Sequence, residues 1–172
     1  MSAARRAGGP VLSFGLLGAV AACGGGAEPS EPAPPPDALT SYAEAGRALR
    51  ADVDGVLGAD GWADDHVPTA TGQEDGRCVV FLLDSHATRE GSASYDLLEE
   101  VPDAIASTLE EHGFGAPSDV VHPEHGGSAY VEAEDPAGWS VRVTADGDVV
   151  RLDLSGPVAL DPCDEAGLPA LG

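Results

Sequence analysis

Two stretches of the chain carry apolar residues every three or four positions, which is the spacing of one face of an α-helix. The first predicted helix covers residues 37 to 57 and ends at Gly58. Its apolar face comprises Leu39, Tyr42, Gly46, Leu49, Val53 and Leu57. The second covers residues 94 to 112, and Gly113 suits a left-handed cap at its end. Pro102 interrupts the second pattern, so the helix either kinks there or a separate helix begins with Pro102.

A continuous apolar run separates the two predicted helices. Residues 77 to 84 read RCVVFLLD, which is typical of a strand that is covered on much of both faces. The stretch before it, residues 58 to 76, is acidic and rich in turn-forming residues. We therefore expect a loop over residues 58 to 76, held in place by Trp62.

Strict alternation of apolar and polar residues follows the second helix. Residues 128 to 135, 139 to 145 and 148 to 155 each alternate, which predicts three half-buried strands of a meander. Residues 118 to 122 suit a further short strand. With the two helices, these strands predict an α+β fold: a two-layer sandwich in which two helices pack on one face of a mostly antiparallel sheet of about five strands.

The residues between the strands of the meander predict how the strands pair. The three-residue segment 136–138 suits a hairpin loop that places Glu132 opposite Arg142. Asp146-Gly147 suits a two-residue turn, which places Arg142 opposite Arg151. We therefore expect a small ladder of charges on the outer face of the sheet, with little effect on stability.

The amino-terminal residues have the pattern of an export signal. Arg5 and Arg6 precede a short apolar run that ends in small residues, and residues 11 to 23 read VLSFGLLGAVAAC. A run of about ten apolar residues is too short for a bilayer, which needs roughly 20. The pattern therefore predicts a signal peptide over residues 1 to 22.

The end of this run, Val20-Ala21-Ala22-Cys23, resembles the lipobox of bacterial lipoproteins. The resemblance implies cleavage between Ala22 and Cys23, a diacylglyceryl thioether on Cys23 and acylation of the new amino terminus. It covers residues 1 to 23 alone, and it has Val20 where Leu is commonest. An ordinary secretory signal that happens to contain a cysteine is the alternative. The lipobox implies localisation at the cell membrane, lipid-anchored on the extracytoplasmic face.

The amino-acid composition of the chain makes some classes of binding partner less suitable than others. Residues 23 to 36 combine the anchor cysteine with a Gly- and Pro-rich linker, which leaves residues 37 to 172 for one α+β domain. Removal of residues 1 to 22 takes away two of the eight basic residues, so 6 basic residues face 30 acidic ones and the net charge is −24. Such acidity argues against nucleic acid. The chain has no Lys, no Asn and one Ile, and it loosely resembles small uncharacterised lipoproteins of GC-rich bacteria.

Two cysteines remain once Cys23 is assigned to the anchor. Exported domains commonly pair their cysteines, so Cys78 and Cys163 are predicted to form a disulfide, with Cα atoms within about 7 Å. Two separate buried thiols are the alternative.

No catalytic residues are assigned from the sequence. Asp84, Ser85 and His86 are adjacent in the chain, whereas a catalytic triad converges from separate elements. A polar loop after the strand is the simpler interpretation.

Metal ligands are not assigned either, and no cofactor is expected. His122-Pro123-Glu124-His125 and Asp64-Asp65-His66 do not match a known ligand spacing, and a solvated loop is the simpler interpretation of both. Asp52 and Asp54 superficially resemble part of a calcium loop but fall on the first predicted helix.

These patterns favour a non-enzymatic module at the cell envelope that binds an envelope protein, an envelope polymer or a small ligand. An envelope hydrolase is the first alternative, and an acidic surface protein that binds divalent cations is the second.

Overall fold

The structure, a computed structural model, describes residues 32–58, 60–65, 68–89 and 93–171. The predicted signal peptide and Cys23 lie outside these ranges. No helix in the described ranges is both long and apolar enough to cross a bilayer.

The first helix forms where its periodicity predicts it. A short 3-10 turn, Pro36–Ala38, leads into α1 (Leu39–Leu57). Five of the six residues of the predicted apolar face are buried, and the sixth, Tyr42, is half-buried. Gly58 ends the helix in the left-handed conformation, with φ of 52°.

The second helical stretch is divided at the proline. Helix α2 (Ala93–Leu98) ends before Pro102, and α3 (Val101–Glu111) carries Pro102 in its first turn. Of the two predicted arrangements, the separate helix is therefore correct. Proline is tolerated in a first helical turn because the backbone N–H that it lacks would have no partner within the helix. Gly113 has φ of 81°, and the amide of Phe114 donates to the carbonyl of Leu109 at 2.9 Å.

All strand pairs in the described residues are antiparallel. The six strands are β1 (Asp60–Asp64), β2 (Thr69–Gly72), β3 (Cys78–Thr88), β4 (Ala129–Glu134), β5 (Ser140–Asp146) and β6 (Val149–Val158). The order across the sheet is β1-β3-β6-β5-β4, and β2 also pairs with β3. The helices pack on one face, which confirms the predicted α+β sandwich.

Two of the strand predictions are wrong. Residues 58 to 76 contain β1 and β2, which pair with opposite ends of β3. The long outer edge of β3 offers unpaired backbone groups, and pairing with them outweighs the turn-forming composition. Residues 118 to 122 form no strand: Val121 makes an isolated bridge with Tyr130. Pro117 and Pro123 flank this segment and supply no backbone N–H, so a regular ladder cannot extend past them.

The three strands of the meander form as predicted. The register of β4 with β5 is the predicted one, but the register of β5 with β6 is different. Glu132 lies opposite Arg142, as predicted, and their side chains form an ion pair at 2.6 Å. Arg142 lies opposite Asp153, however, and not opposite Arg151. Asp146 pairs with Val149, so the turn residues lie one position later than predicted. This shift keeps the same residues inward and replaces two facing arginines by an arginine and a carboxylate.

Trp139 lies at the centre of the packing at one end of the sheet. Its ring is fully buried, stacks on Tyr42 with centroids 4.0 Å apart and donates from Nε1 to the carbonyl of Pro157 at 2.9 Å. Asp135 accepts from both the Trp139 amide and the Tyr42 hydroxyl. Gly156 lies directly against the ring, where any side chain would collide with it.

The predicted disulfide is present. Cys78 begins β3, and Cys163 belongs to the segment after β6. Their Cα atoms are 5.5 Å apart and their sulfurs are bonded. The bridge holds the carboxyl-terminal segment against the first residue of β3.

Candidate functional site

A cleft lies between α1 and the sheet and has a volume of about 260 Å³. We refer to it as the α1 cleft. Its principal lining residues are Gly46, Arg47, Arg50, Asp64, Leu83 and Leu154. Leu171, near the carboxyl terminus, closes one side. The cleft therefore combines an apolar interior with charged residues contributed by α1 and β1.

A three-residue network stands at the edge of the α1 cleft. Arg50 donates from Nη2 to Oδ1 of Asp64 and to the hydroxyl of Ser85, and Ser85 donates to the same Asp64 oxygen at 2.6 Å. Ser85 is fully buried, whereas Arg50 is a quarter exposed. The hydrogen bond from Ser85 and the adjacent Arg50 guanidinium lower the pKa of Asp64. Asp64 is therefore a stable anion at neutral pH and neutralises one positive charge of the cleft.

Arg50 also has an unused donor. Its Nε atom is buried and lacks a hydrogen-bond partner within the described part of the chain. The guanidinium lies 5.6 Å from the ring centroid of Trp62, in the range of a cation–π contact. The planar group is thus held in position by its neighbours, with hydrogen-bonding capacity left over.

The opposite face of the sheet carries a second charged group, the outer-face cluster. It comprises Asp65, Asp84, His86, Arg151 and Asp153. Asp65 lies 2.9 Å from Nδ1 of His86 and 3.0 Å from Nη1 of Arg151. Arg151 also lies 3.8 Å from Asp84. The cluster exists because Asp65 follows β1, whose pairing with β3 the sequence did not reveal.

Two carboxylates face each other within the outer-face cluster. Asp84 of β3 is the cross-strand partner of Asp153 of β6. Partial burial, and then the charge of Asp84, raises the pKa of Asp153 from 3.8 to about 6. The Asp153 carboxyl therefore keeps its proton to a higher pH than an isolated aspartate does.

We expect Asp153→Asn to stabilise the protein at pH 7.5 by about 1–2 kcal/mol, after allowance for the screening of a half-exposed group. The folded-state pKa of Asp153 lies above its unfolded value. Its contribution to stability is therefore fully present below pH 3.8 and is lost as the pH rises through about 6. Asparagine resembles the protonated carboxyl, so the advantage of the variant should disappear near pH 4.

Urea unfolding between pH 4 and pH 8 measures this difference. Asp119→Asn is the control, because Asp119 is exposed in a loop and its replacement removes the same charge. A pH-independent effect of Asp153→Asn, or an equal effect of Asp119→Asn, would contradict the expectation.

The residues that the sequence singled out are not gathered into one site. Ser85 points into the core, while its neighbours Asp84 and His86 lie on the outer face, so the three do not form a triad. This alternation follows from the period of two along a strand. His66 and Cys23 lie outside the described residues.

The other candidate metal ligands contact protein side chains or do not come together in one place. Nε2 of His122 lies 3.0 Å from Oε1 of Glu99, and both side chains are exposed. Asp52 and Asp54 lie on α1, where Asp52 accepts from Thr108 at 2.5 Å. Among the described residues, no three His, Cys, Asp or Glu side chains are close enough together to hold a metal ion.

The fold and the site together define a two-layer α+β protein that has a cleft between its first helix, α1, and its sheet. No family profile and no curated protein matches the sequence. Among solved structures, the chain is similar to the crystal structure of a DUF4853 family protein from Actinomyces odontolyticus. The TM-score is 0.56 at 14% identity, and the match covers 81% of this chain and 79% of that chain. At this identity the likeness shows a shared fold.

Proposed function

We propose that this protein is a non-enzymatic binding module that a lipid on Cys23 holds at the extracytoplasmic face of the cell membrane. The α1 cleft carries the proposal, since it is a concave site with an apolar interior and a few fixed polar groups. Binding sites for small molecules generally combine these features. The cleft is built on α1 and the sheet, and such regular elements hold a binding site more precisely than loops do.

The lipobox-like residues support the anchoring part of the proposal. Each buried CH₂ of an acyl chain contributes about 0.8 kcal/mol, and one chain binds a membrane only marginally. The two or three chains that a lipoprotein carries on Cys23 would hold the module stably.

The end of the proposed linker is attached to the sheet. The carbonyl of Pro34 accepts a hydrogen bond from the amide of Ala159, just after β6. The tether between Cys23 and this attachment therefore spans residues 24 to 33. Ten residues span at most about 33–36 Å, whatever conformation they adopt. We propose that this tether holds the module close to the lipid headgroups.

We expect the membrane-extracted protein to lack residues 1 to 22 and to carry acyl chains on Cys23, because the lipobox-like residues end at that cysteine. Intact mass measurement tests this in a host that processes lipoproteins. Cys23→Ser should abolish the acyl mass and release the protein from the membrane fraction. Val20→Leu, which brings the sequence closer to the usual lipobox, is the control that should remain lipidated. A wild-type chain cleaved elsewhere and without acyl mass would contradict the anchor.

The paired carboxylates Asp84 and Asp153 favour a second candidate, an envelope hydrolase. A carboxyl with a raised pKa next to a second carboxyl group is an arrangement that many acid–base catalysts use. Hydrolysis of purified cell-envelope polymer that Asp153→Asn abolishes without unfolding the chain would support this candidate. Equal hydrolysis by wild type and Asp153→Asn would exclude the pair as catalytic.

A further inference from the structure

The apolar side of the α1 cleft already holds an aliphatic side chain of the protein itself. Leu82 and Leu83 of β3 and Leu154 of β6 line the cleft, and we call these three residues the leucine floor. Leu171, from the segment after β6, lines the same cleft. It is half-buried and packs against the hydrophobic core. A short aliphatic group therefore suits this side of the cleft, since Leu171 supplies one.

Gly46 brings α1 close to the leucine floor. An added Cβ at this position would lie 3.2 Å from Leu83 and 3.3 Å from Leu154, which is tighter than ordinary contact. The helix therefore approaches the sheet at Gly46 without placing a side chain of its own on these two leucines. Both leucines remain accessible from within the cleft.

The charged residues at the edge of the α1 cleft already have partners. Arg50 donates hydrogen bonds to Asp64 and to Ser85, and Asp64 also accepts one from Ser85. Arg47 has an interaction of its own. A charged ligand would have to compete with these contacts, whereas a neutral ligand leaves them in place. The edge of the cleft therefore favours a ligand without a charge.

The segment that carries Leu171 is firmly held at its start. Cys163 is bonded to Cys78 at the beginning of β3. Asp164 accepts hydrogen bonds from two backbone amides of the 3-10 turn that follows, Glu165–Gly167. The amide of Leu168 donates to the first carbonyl of that turn at 3.2 Å. The segment is therefore fixed as far as Leu168.

The next three residues, 169 to 171, are held by fewer contacts, and we call them the strap. Within the described part of the chain, no backbone–backbone hydrogen bond joins the strap to the rest of the protein. Pro169 has no N–H to donate, and Ala170 is exposed. Segments with few buried contacts and few backbone hydrogen bonds open at a small fraction of the free energy of global unfolding. The strap can therefore leave the cleft while the fold stays intact.

We propose that the α1 cleft binds a small neutral molecule with an aliphatic group, which takes the place of Leu171 on the leucine floor. This ligand class rests on the binding function proposed above. The volume of about 260 Å³ is just below the roughly 300–1,000 Å³ of pockets for drug-sized molecules, so the ligand is small. The strap acts as a built-in competitor, and the apparent affinity is reduced to the fraction of molecules in which the strap is open.

Hexanol is the probe that tests the proposal, since it is neutral and carries one short aliphatic chain. The protein is the whole mature chain, residues 23 to 172, carrying Cys23→Ser so that it stays in solution. The NMR signal of the Gly46 amide reports entry into the cleft, and the signals of the Leu171 methyl groups report the strap. We expect a saturable shift at Gly46, and movement of the Leu171 methyl signals towards those of a solvent-exposed leucine. Hexanoate and hexylammonium should bind no more tightly than hexanol, because the charged residues at the edge already have partners.

Leu171→Ala removes the competitor and should strengthen hexanol binding by at least about fivefold, because the strap no longer covers the floor. Leu171→Met keeps an apolar side chain of similar volume and should leave the affinity within about twofold of the wild type. Leu97→Ala is the matched control and should leave the affinity unchanged. Leu97 of α2 is also half-buried against the core, but it does not line the cleft.

The outcomes separate this inference from the broader binding function. Weaker or unchanged binding by Leu171→Ala would make Leu171 a wall of the site, and would overturn the strap while leaving the α1 cleft as a binding site. Leu171 methyl signals that stay in place while Gly46 responds in the wild type would also overturn the strap. Binding of hexanoate at least about tenfold tighter than that of hexanol would overturn the neutral class. No shift at Gly46 with any probe, in the wild type or in Leu171→Ala, would overturn both the ligand class and the assignment of the α1 cleft as the binding site.

Discussion

Loss of the Cys78–Cys163 disulfide should lower the free energy of unfolding by about 4 kcal/mol, since the bridge closes a long loop of the unfolded chain. The two cysteines are separated by 85 residues in sequence. Without the bridge, the unfolded chain gains conformational freedom that the folded chain does not. For a domain of this size the melting temperature should fall by roughly 10–20 °C.

The double variant Cys78→Ala/Cys163→Ala tests this most cleanly, because a single substitution would leave one free thiol. The measurement is urea unfolding, with and without reductant, of the double variant and of the chain that keeps the disulfide. Both proteins also carry Cys23→Ser. Reductant should destabilise the bridged chain and leave the double variant unchanged. A loss of less than about 1 kcal/mol would mean that strain or residual unfolded structure cancels the effect of the cross-link.

The disulfide also has a consequence for the α1 cleft. The segment that Cys163 fastens continues to Leu171, which closes one side of the cleft. Release of this segment should therefore loosen that wall.

Gly156→Ala should destabilise the fold by about 3 kcal/mol, the upper end of ordinary overpacking effects. A Cβ on Gly156 would lie 2.3–2.7 Å from three ring atoms of Trp139, far inside contact distance. The ring cannot move aside without cost, because it stacks on Tyr42 and donates to the carbonyl of Pro157. Equilibrium unfolding, with near-ultraviolet circular dichroism of the tryptophan environment, measures the effect.

Gly55→Ala is the matched control for this substitution. Gly55 lies within α1, and an added Cβ there would meet nothing within 4 Å. Alanine should therefore stabilise the helix by up to about 1 kcal/mol. In a Trp139→Leu background, Gly156→Ala should cost much less than in the wild type, because the colliding ring is absent. An equal cost in both backgrounds would show that the ring does not cause the loss.

The charged residues on the outer face of the sheet illustrate why part of the charge arrangement could be predicted from the sequence and part could not. The pair of Glu132 and Arg142 follows from a short hairpin whose loop residues lie between the two strands. The opposition of Asp84 and Asp153 joins strands 69 residues apart in sequence, counted between the two aspartates. No local pattern reports a pairing at that distance, so the raised pKa of Asp153 could not be foreseen.

The α1 cleft, too, could be predicted from the sequence only in part. Sequence periodicity placed Gly46 on the buried face of α1, and the structure confirms it. Leu82 and Leu83 both line the cleft because the pairing of β3 shifts register between Phe81 and Leu83, and the position of Asp64 depends on the edge pairing of β1. The network of Arg50, Asp64 and Ser85 therefore forms only when three separate elements meet.

The sequence by itself determined α1, an interruption of the second helical stretch at Pro102, the strand β3 and the meander, because each is encoded by the spacing of apolar residues and by turn and cap residues within a few positions. It also supported the disulfide, through the number of cysteines and the predicted export. Tertiary structure alone decided the strands β1 and β2, the register of β5 on β6, the paired aspartates and the α1 cleft. These depend on which backbone edges and side chains meet across the fold, and that choice is made by the free energy of the whole packed chain.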